Sequence, residues 1–301
     1  LISRMKESIQ KESFSSIQKF ATAALVSNIE EDLDRFNVKF DTWYSERSLI
    51  QSGALAKMIA RLKSGGFLYQ KEGAWWFRSA VLGDQKDRVV IRANGTHTYF
   101  ATDIAYHMAK LDRGFDQLIN VWGSDHHGYI GRMKAAIAAL DRNPDDLTVL
   151  TVQFAALYRE GAKVSMSTRT GEFVTLRELY EEVGIDAARF FYVLRKPEQH
   201  MDFDLDLAKT QSNDNPVYYV QYAHARICSV FRQLGDRNIS VNLDEADTGL
   251  LGEPQERDLL RLLSSYPDVL GQAARNYEPH QIAYFTRDLA NNFHTYYNAY
   301  P

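Results

Sequence analysis

The middle of the chain carries the pattern that most limits its fold, two short apolar runs separated by a helical pattern. The runs are "QLINVWG" at 117–123 and "LTVLTVQFAALY" at 147–158, and "HGYIGRMKAAIAAL" between them has helical spacing. A strand–helix–strand succession predicts parallel strands in an α/β domain. Ligands of such sheets bind beyond the carboxyl ends of the strands. The stretch "GSDHHG" at 123–128 lies at such an end.

The segment before this pattern predicts helices and a small antiparallel insertion. Residues 1–36 space their apolar side chains as a helix does, whereas "VKFDTWYSE" at 38–46 is strand-like. Aromatic and β-branched clusters are separated by Gly and Asn turns over about 67–100. Asn-Gly at 94–95 is a hairpin signal within that stretch.

The segment after it predicts an all-α region. Strand signals fade after Pro197, and three long amphipathic patterns follow. We therefore predict two domains. They are an α/β nucleotide-binding domain over 1–208, including the insertion, and an α-helical bundle over 209–301.

Composition narrows the function classes. A net charge of −4 argues against a protein coated for non-specific binding to nucleic acid. No apolar stretch approaches the ~20 residues of a membrane span, and no signal-peptide pattern opens the chain. Cys228 is the only cysteine, so it forms no internal disulfide, and we expect it to be buried. A cytoplasmic protein is the default, and we expect a monomer.

The stretch "GSDHHG" admits three interpretations. Asp125 can accept the hydroxyls of a ribose while His126 and His127 donate to ligand oxygens, and Gly123 permits close approach of a ligand. Alternatively, Asp125 is a helix N-cap. Asp-His-His also opens a class of metal-dependent phosphoesterases. That site needs further ligands, and the candidates are Asp103 and His107, which lie on one predicted helix.

The stretch "TYFATDIAYH" at 98–107 places Tyr99 and Asp103 four residues apart. With Thr102 as N-cap, Asp103 would lie in the first turn of a helix, where the dipole favours an anion. Asp103 then either binds a cationic substrate or acts as a cap.

The stretch "GAKVSMSTRTGEF" at 161–173 is a hydroxyl-rich, basic loop ahead of a helix. Residues 159–177 hold four basic and two acidic side chains, a net charge of +2. Such a loop can cradle phosphates, although an ordinary solvated loop has the same composition.

These motifs, in this order, resemble the arginyl-tRNA synthetases, a family of class I aminoacyl-tRNA synthetases, and the resemblance covers nearly the whole chain. Its most specific stretches are "VWGSDHHGYIGRMKAA", "GEFVTLRELYEEVGIDAARFFYVLRK" and "HMDFDLDLAKTQSNDNPVYYVQYAHARI". "DAAR" at 186–189 is similar to the Asp-Ala-Leu-Arg box of the family's anticodon-binding domain, with Ala188 in place of leucine. The fold implied is the second half of the class I nucleotide-binding domain followed by that helical domain.

The resemblance implies ATP-dependent ligation of L-arginine to its tRNA, and it assigns roles to residues of this chain. The residues implied to bind ATP are Gly123, Asp125, His126 and Met166. Those implied to bind arginine are Tyr99, Asp103 and His127. The candidates for stabilising charge on the leaving pyrophosphate are Lys163, Ser167 and Arg169. The candidates for tRNA contact are Tyr218, Tyr222 and Arg226, although core packing would also account for the tyrosines. Magnesium arrives with ATP, and no residue of the chain is a metal ligand.

The chain departs from the family in two places. Thr168 stands where the signature loop carries its second lysine, and we favour Arg169 as the replacement. The family's His-x-Gly-His motif is absent from this sequence and is expected upstream of Leu1. We therefore expect residues 1–301 alone not to form arginyl-adenylate at a useful rate. A metal-dependent phosphoesterase, or a fragment that binds RNA without catalysis, remains the alternative.

Overall fold

The computed structural model describes residues 14–165, 173–240 and 242–300. In chain order the elements are α1 (Phe14–Arg35), α2 (Glu46–Gln51), α3 (Ala54–Ser64), β1 (Leu68–Lys71), β2 (Ala74–Phe77), β3 (Arg88–Ile91), α4 (Tyr99–Asp112), β4 (Leu118–Gly123), α5 (Ile130–Ala139), β5 (Leu147–Val152), β6 (Ala155–Arg159), β7 (Ala162–Lys163), α6 (Leu176–Val183), α7 (Ile185–Val193), β8 (Met201–Asp204), α8 (Leu205–Lys209), α9 (Pro216–Asp236), α10 (Pro254–Asn276) and α11 (His280–Ala299). Short 3-10 segments are Ala80–Leu82, Ser124–Tyr129, Pro144–Asp146, Leu243–Glu245 and Thr248–Leu250.

These elements form two compact units. The sheet unit comprises Phe40–Phe154 with Pro197–His200. The helical unit comprises the described residues within Leu1–Lys39, Ala155–Lys196 and Met201–Pro301. The described helices include none that combines the length and apolar character needed to cross a bilayer.

The sheet unit is organised by β4 and β5, which pair in parallel from Leu118 opposite Leu147 to Gly123 opposite Val152. Side chains of β4 alternate, so that Leu118 and Asn120 are buried while Ile119 is exposed. The helix α5 connects the two strands, as the sequence predicts, and packs Met133 and Ile137 into the core. The carboxyl ends of both strands therefore meet at the segment Ser124–Tyr129.

A three-stranded antiparallel sheet forms the predicted insertion, in the order β1-β2-β3. Phe77 and Val90 are fully buried and join it to the core of the sheet unit. The predicted Asn-Gly turn is present, with Gly95 at φ +82°, and Arg92 N–H donates to the Thr96 carbonyl across it at 2.8 Å. Positive φ is the conformation that glycine adopts at little cost, so the turn closes where the sequence indicates.

The helical unit gathers segments that lie far apart in the sequence. The strand β6 pairs with β8 in parallel and with β7 in antiparallel fashion, and Phe203 and Leu205 are fully buried beside it. The side chain of Arg177 on α6 donates to the Asp32 carboxylate on α1 at 2.6 Å. Arg189, the last residue of the "DAAR" stretch, donates to the Phe36 carbonyl at 2.8 Å. In this structure the arginine of that stretch thus fixes the end of α1.

The predicted fold class, an α/β region with a parallel sheet followed by a helical C-terminal region, is confirmed. The apolar run 147–158 contains two strands, β5 and most of β6, which are separated by Gln153 and Phe154. Three local predictions are wrong. Residues 38–46 form no strand. Strand structure returns after Pro197 as β8. Cys228 is exposed on α9, one helical turn from His224, instead of buried.

Candidate active site

A pocket of ≈ 250 Å³ in the sheet unit collects two carboxylates and two aromatic rings. Its lining residues are Tyr44, Glu46, Leu49, Thr102, Asp103 and Tyr106. The rings of Tyr44 and Tyr106 lie 4.7 Å apart, tilted by 37°. Carboxylate oxygens beside the faces of aromatic rings form a site for a cation whose hydrogen-bond donors lie in one plane.

Asp103 lies deeper in its helix than the sequence suggested. The N-cap of α4 is Thr98, whose Oγ1 accepts from Ala101 N–H at 3.4 Å, so the prediction of Thr102 as N-cap is wrong. The helix begins at Tyr99, which puts Asp103 in its second turn. Asp103 is therefore not a cap. The helix dipole, which favours an anion in the first turn, does not stabilise its carboxylate as expected. The competing interpretation of this residue as a cap is excluded.

The carboxylate of Asp103 is held by a hydrogen bond from the phenol of Tyr129, at 2.5 Å to Oδ2. Burial raises the pKa of the Asp103 carboxyl above its usual range, while the bond from Tyr129 opposes that rise. The negative charge of Glu46 raises the pKa further, and Lys110 and His126 lower it. A cation in the pocket would favour the ionised carboxylate, because it offsets both burial and the charge of Glu46.

In the "GSDHHG" stretch, Gly123 ends β4 and the residues after it belong to the 3-10 segment Ser124–Tyr129, where the sequence predicted a ligand site. Ser124 Oγ donates to Gln153 Oε1 at 2.9 Å and ties together the ends of β4 and β5. The side chains of Asp125, His126 and His127 are exposed. Asp125 Oδ2 lies 3.7 Å from His126 Nε2. These polar groups are accessible to a ligand.

Asp125 does not cap the helix that follows. The residue before α5 is Tyr129, and the helix has no side-chain cap. A Cβ atom at Gly123 would lie 2.6 Å from Asp125 Oδ1. Glycine at 123 therefore leaves room for the carboxylate of Asp125, and the N-cap interpretation of Asp125 is wrong.

Behind the pocket, His107 and Asn120 form a buried polar pair that joins α4 to β4. His107 Nδ1 donates to the Asp103 carbonyl at 2.8 Å, and Nε2 accepts from Asn120 Nδ2 at 2.8 Å. Lys110 Nζ donates to Asn120 Oδ1 at 3.1 Å. Both ring nitrogens of His107 are thus satisfied by protein groups, which requires the neutral tautomer with the proton on Nδ1.

This pair predicts an acid-dependent loss of stability. Burial lowers the pKa of His107 from 6.5 to about 4. The contribution of neutral His107 to the stability of the folded state is complete above pH 6.5. It is lost as the pH falls toward 4, because His107 of the unfolded chain binds a proton at a higher pH than His107 of the folded chain. A shift of that size corresponds to roughly 3 kcal/mol. We expect His107→Gln to flatten the fall in urea midpoint between pH 7.5 and pH 4.5, with the exposed His97→Gln as control. An unchanged pH dependence in the His107 variant would contradict this assignment.

The metal-site alternative finds no support in these positions. Asp103 Oδ2 and both nitrogens of His107 already bond to protein groups. Across residues 14–165, 173–240 and 242–300, no three His, Cys, Asp or Glu side chains are grouped so as to hold a metal ion.

The structure brings together only part of the predicted site. Tyr99 is 80% exposed and does not line the pocket around Asp103. Lys163 is exposed on β7 and belongs to the helical unit. The signature-loop positions Met166, Ser167 and Arg169 lie outside the described residues.

The predicted tRNA-contacting residues cluster on α9. The rings of Tyr218 and Tyr222 stack at 5.9 Å with 8° between their planes, and His294 of α11 stacks on Tyr222 at 5.5 Å. The guanidinium of Arg226 lies 4.5 Å from the Tyr222 ring and 4.8 Å from the Tyr297 ring. Tyr222 remains 38% exposed, so the cluster presents an aromatic edge to solvent.

Sequence reasoning missed three residues of these sites. Glu46 begins α2 and supplies the second carboxylate of the pocket. Tyr129 supplies the hydrogen bond to Asp103. His294 completes the aromatic stack on α9. The run "GYIGRM" after the histidines was the available signal for Tyr129, since a polar aromatic just beyond a binding stretch invites inspection.

Comparison with known proteins gives the family. Residues 5–213 match the model of the catalytic domain of class I tRNA synthetases (R), and residues 220–301 match the DALR anticodon binding domain. A parallel sheet with a polar segment at its carboxyl end, followed by helices, agrees with that class. The chain belongs to the arginyl-tRNA synthetase family of the class I enzymes.

Individual relatives agree with this assignment. Arginine–tRNA ligase of Hydrogenovibrio crunogenus is 55% identical over 301 residues, covering 99% of this chain and 51% of the relative. That of Thioalkalivibrio sulfidiphilus is 56% identical over 302 residues, covering 100% and 52%. A crystal structure from Campylobacter jejuni, assigned as an arginyl-tRNA synthetase, has a TM-score of 0.84 at 34% identity and covers 95% of this chain and 62% of that one. The chain spans about half the length of the curated relatives that it matches.

Proposed function

We propose that the full-length protein joins L-arginine to its tRNA in two steps. The arginine carboxylate attacks the α-phosphorus of ATP, which forms arginyl-adenylate and releases pyrophosphate. A hydroxyl of the terminal tRNA ribose then attacks the activated carbonyl and releases AMP. The protein acts as a monomer in the cytoplasm, with magnesium carried by ATP. The observation that carries the proposal is the pocket holding Glu46 and Asp103, in a chain of the arginyl-tRNA synthetase family.

The pocket suits the guanidinium of arginine. A guanidinium presents parallel N–H donors to a carboxylate and stacks against aromatic rings, and lysine does not reproduce this geometry. Asp103 supplies the principal counter-ion, and Glu46 supplies a second one at the exposed rim. Tyr44 and Tyr106 supply the aromatic walls. Tyr99 and His127, both exposed, contact the remaining part of the amino acid.

The segment beyond β4 binds ATP in this proposal. Asp125 accepts the ribose hydroxyls, and His126 donates to the adenylate. Gly123 has no Cβ to displace the carboxylate of Asp125, which supports a role in positioning it. Met166, which lies outside the described residues, is assigned to ATP binding by its position in the signature loop.

Charge on the departing pyrophosphate is offset by cations of the signature region. Arg169 takes the place of the lysine that Thr168 replaces, and Lys163 at the exposed end of β7 and the hydroxyl of Ser167 assist. Cations and hydroxyl donors stabilise the developing charge of phosphoryl-type transition states.

The aromatic cluster on α9 binds the anticodon region of the tRNA. Exposed rings stack on bases of single-stranded RNA, and a guanidinium beside them pairs with phosphate or with a base face. Tyr222 is exposed, and the half-buried Tyr218 and Arg226 lie against its ring. Tyr222 and Arg226 lie within the matched anticodon-binding domain, which begins two residues after Tyr218.

The test of this function is amino-acid selection by the full-length protein. Citrulline has the shape of arginine, but its urea group is neutral. We expect kcat/KM for tRNA charging to favour arginine over citrulline by about 10⁴-fold, because a site built on paired charges rejects an analogue that leaves them unpaired. Comparable charging of both amino acids, or none with arginine, would overturn the proposal. Pyrophosphate exchange measured in parallel separates catalysis from RNA binding alone.

A further inference from the structure

Tyr129 makes a contact that the roles above leave unassigned. It is the last residue of the segment Ser124–Tyr129, which also carries Asp125 and His126. Its hydroxyl nevertheless donates to Asp103 Oδ2 on α4, at 2.5 Å. The segment proposed to bind the nucleotide therefore reaches the carboxylate proposed to bind the amino acid.

The ring of Tyr129 is held firmly enough to fix where its hydroxyl lies. Phe100 meets it edge-on, with centroids 5.9 Å apart and planes at 90°. Trp122 meets it at 5.8 Å and 76°. The guanidinium of Arg132 lies 4.5 Å from its centroid. Aromatic and cation–π contacts on several sides leave the phenol little rotational freedom, so the hydroxyl is preorganised for its acceptor.

The two oxygens of the Asp103 carboxylate differ in their hydrogen bonding. Tyr129 occupies Oδ2, and within the described chain no other side chain donates to this carboxylate. Burial raises the pKa of the Tyr129 phenol, so the hydroxyl keeps its proton and remains a donor. A carboxylate fixed at one oxygen loses less rotamer freedom when a ligand binds to the other.

We propose that Tyr129 is a positioning residue for arginine, whose hydroxyl fixes the Asp103 carboxylate in the orientation that lines the pocket and leaves Oδ1 for the guanidinium. This inference rests on the proposed function, because it requires Asp103 to bind arginine. Tyr129 itself touches no substrate in this scheme. It acts through Asp103, and so its loss should change KM for arginine and not KM for ATP.

The experiment removes one oxygen atom from the full-length protein. Tyr129→Phe should raise KM for arginine by about 10-fold to 100-fold, the scale of one hydrogen bond to a charged group. The values of kcat and KM for ATP should stay within about twofold, since Asp125 and His126 are untouched. Asp103→Ala, which removes the acceptor of the Tyr129 hydroxyl, and the double variant complete a cycle. If Tyr129 acts through Asp103, adding Tyr129→Phe to Asp103→Ala should change arginine kinetics little further.

Tyr69→Phe is the matched control, because the Tyr69 hydroxyl donates to Asp87 Oδ2 at 2.9 Å in the antiparallel sheet. It loses the same kind of bond and should leave KM for arginine unchanged. An additive cycle, or a parallel rise in KM for ATP together with a lower melting temperature, would show a general structural role and overturn the inference. A normal Tyr129→Phe beside an impaired Asp103→Ala would overturn the inference alone. A normal Asp103→Ala would overturn both the inference and the proposed role of Asp103.

Discussion

Asp103→Asn in the full-length protein is expected to lower kcat/KM for arginine by about 10²–10³-fold. Asparagine keeps the shape of the side chain but removes the charge opposite a desolvated guanidinium. Breaking such a pair costs roughly 3–5 kcal/mol, and each 1.4 kcal/mol is a factor of about ten. KM for ATP should stay within a few-fold. Steady-state aminoacylation at varied arginine and varied ATP measures both.

The fold should tolerate this change. Burial raises the pKa of the Asp103 carboxyl, so the surrounding protein does not favour its charged form. The amide oxygen of asparagine can still accept from Tyr129, and we expect the melting temperature to hold or rise slightly. Asp112→Asn on the same helix is the control, since Asp112 is exposed and pairs with Lys57 at 2.9 Å. Wild-type arginine kinetics in the Asp103 variant would remove that residue from the substrate site.

Tyr222→Ala is expected to raise KM for tRNA by roughly 10-fold to 100-fold. Tyr218, His294 and the Arg226 guanidinium, 4.5 Å from the ring, hold the Tyr222 ring in place before RNA arrives. A base that stacks on Tyr222 takes the place of the guanidinium on the ring, and loss of such a platform costs about 1–3 kcal/mol per stacked base. Values of KM for arginine and ATP at saturating tRNA should be unchanged. Aminoacylation at varied tRNA concentration gives the effect directly.

Tyr266→Ala provides the control for this result. Tyr266 lies on α10 and is 39% exposed, against 38% for Tyr222, but it packs on Phe285 outside the cluster. Its loss should lower the melting temperature and leave KM for tRNA near the wild-type value. Equal tRNA defects in the two variants would indicate that α9 matters only for packing. That result would contradict a base-stacking role for Tyr222.

The parallel pair β4–β5 was predictable because its signal is local. Two apolar runs flank a helical repeat, and parallel strands require such a crossover connection. The exposed polar segment at the carboxyl end followed from that topology. By contrast, 38–46 has strand-like composition, but no strand among the described residues pairs with it. A strand needs a hydrogen-bonding partner, and composition alone does not supply one.

The pocket was only half predictable. Asp103 stood out through its spacing from Tyr99, but Glu46 lies on a different helix, among residues with no unusual pattern. The bond between Tyr129 and Asp103 joins residues 26 positions apart and depends on how α4 packs beside the 3-10 segment. The start of α4 was misplaced because Thr98 and Thr102 are equally good caps by type. Thr98 is the N-cap in the structure, and its hydroxyl also donates to the Val89 carbonyl of the neighbouring strand.

The docking of α1 has a consequence for synthesis on the ribosome. Asp32 of this helix meets its partner Arg177 across 145 residues of sequence. At about 5–20 residues per second, the helix waits roughly 7–30 s for that partner to emerge. Meanwhile Phe40–Phe154, which form most of the sheet unit, are translated as one continuous stretch. Leu25 and Ile29 of α1 are about half exposed even in the finished structure. A nascent chain paused in this interval therefore presents α1 before Arg177 is available, with Leu25 and Ile29 open to solvent, and chaperone capture should concentrate there.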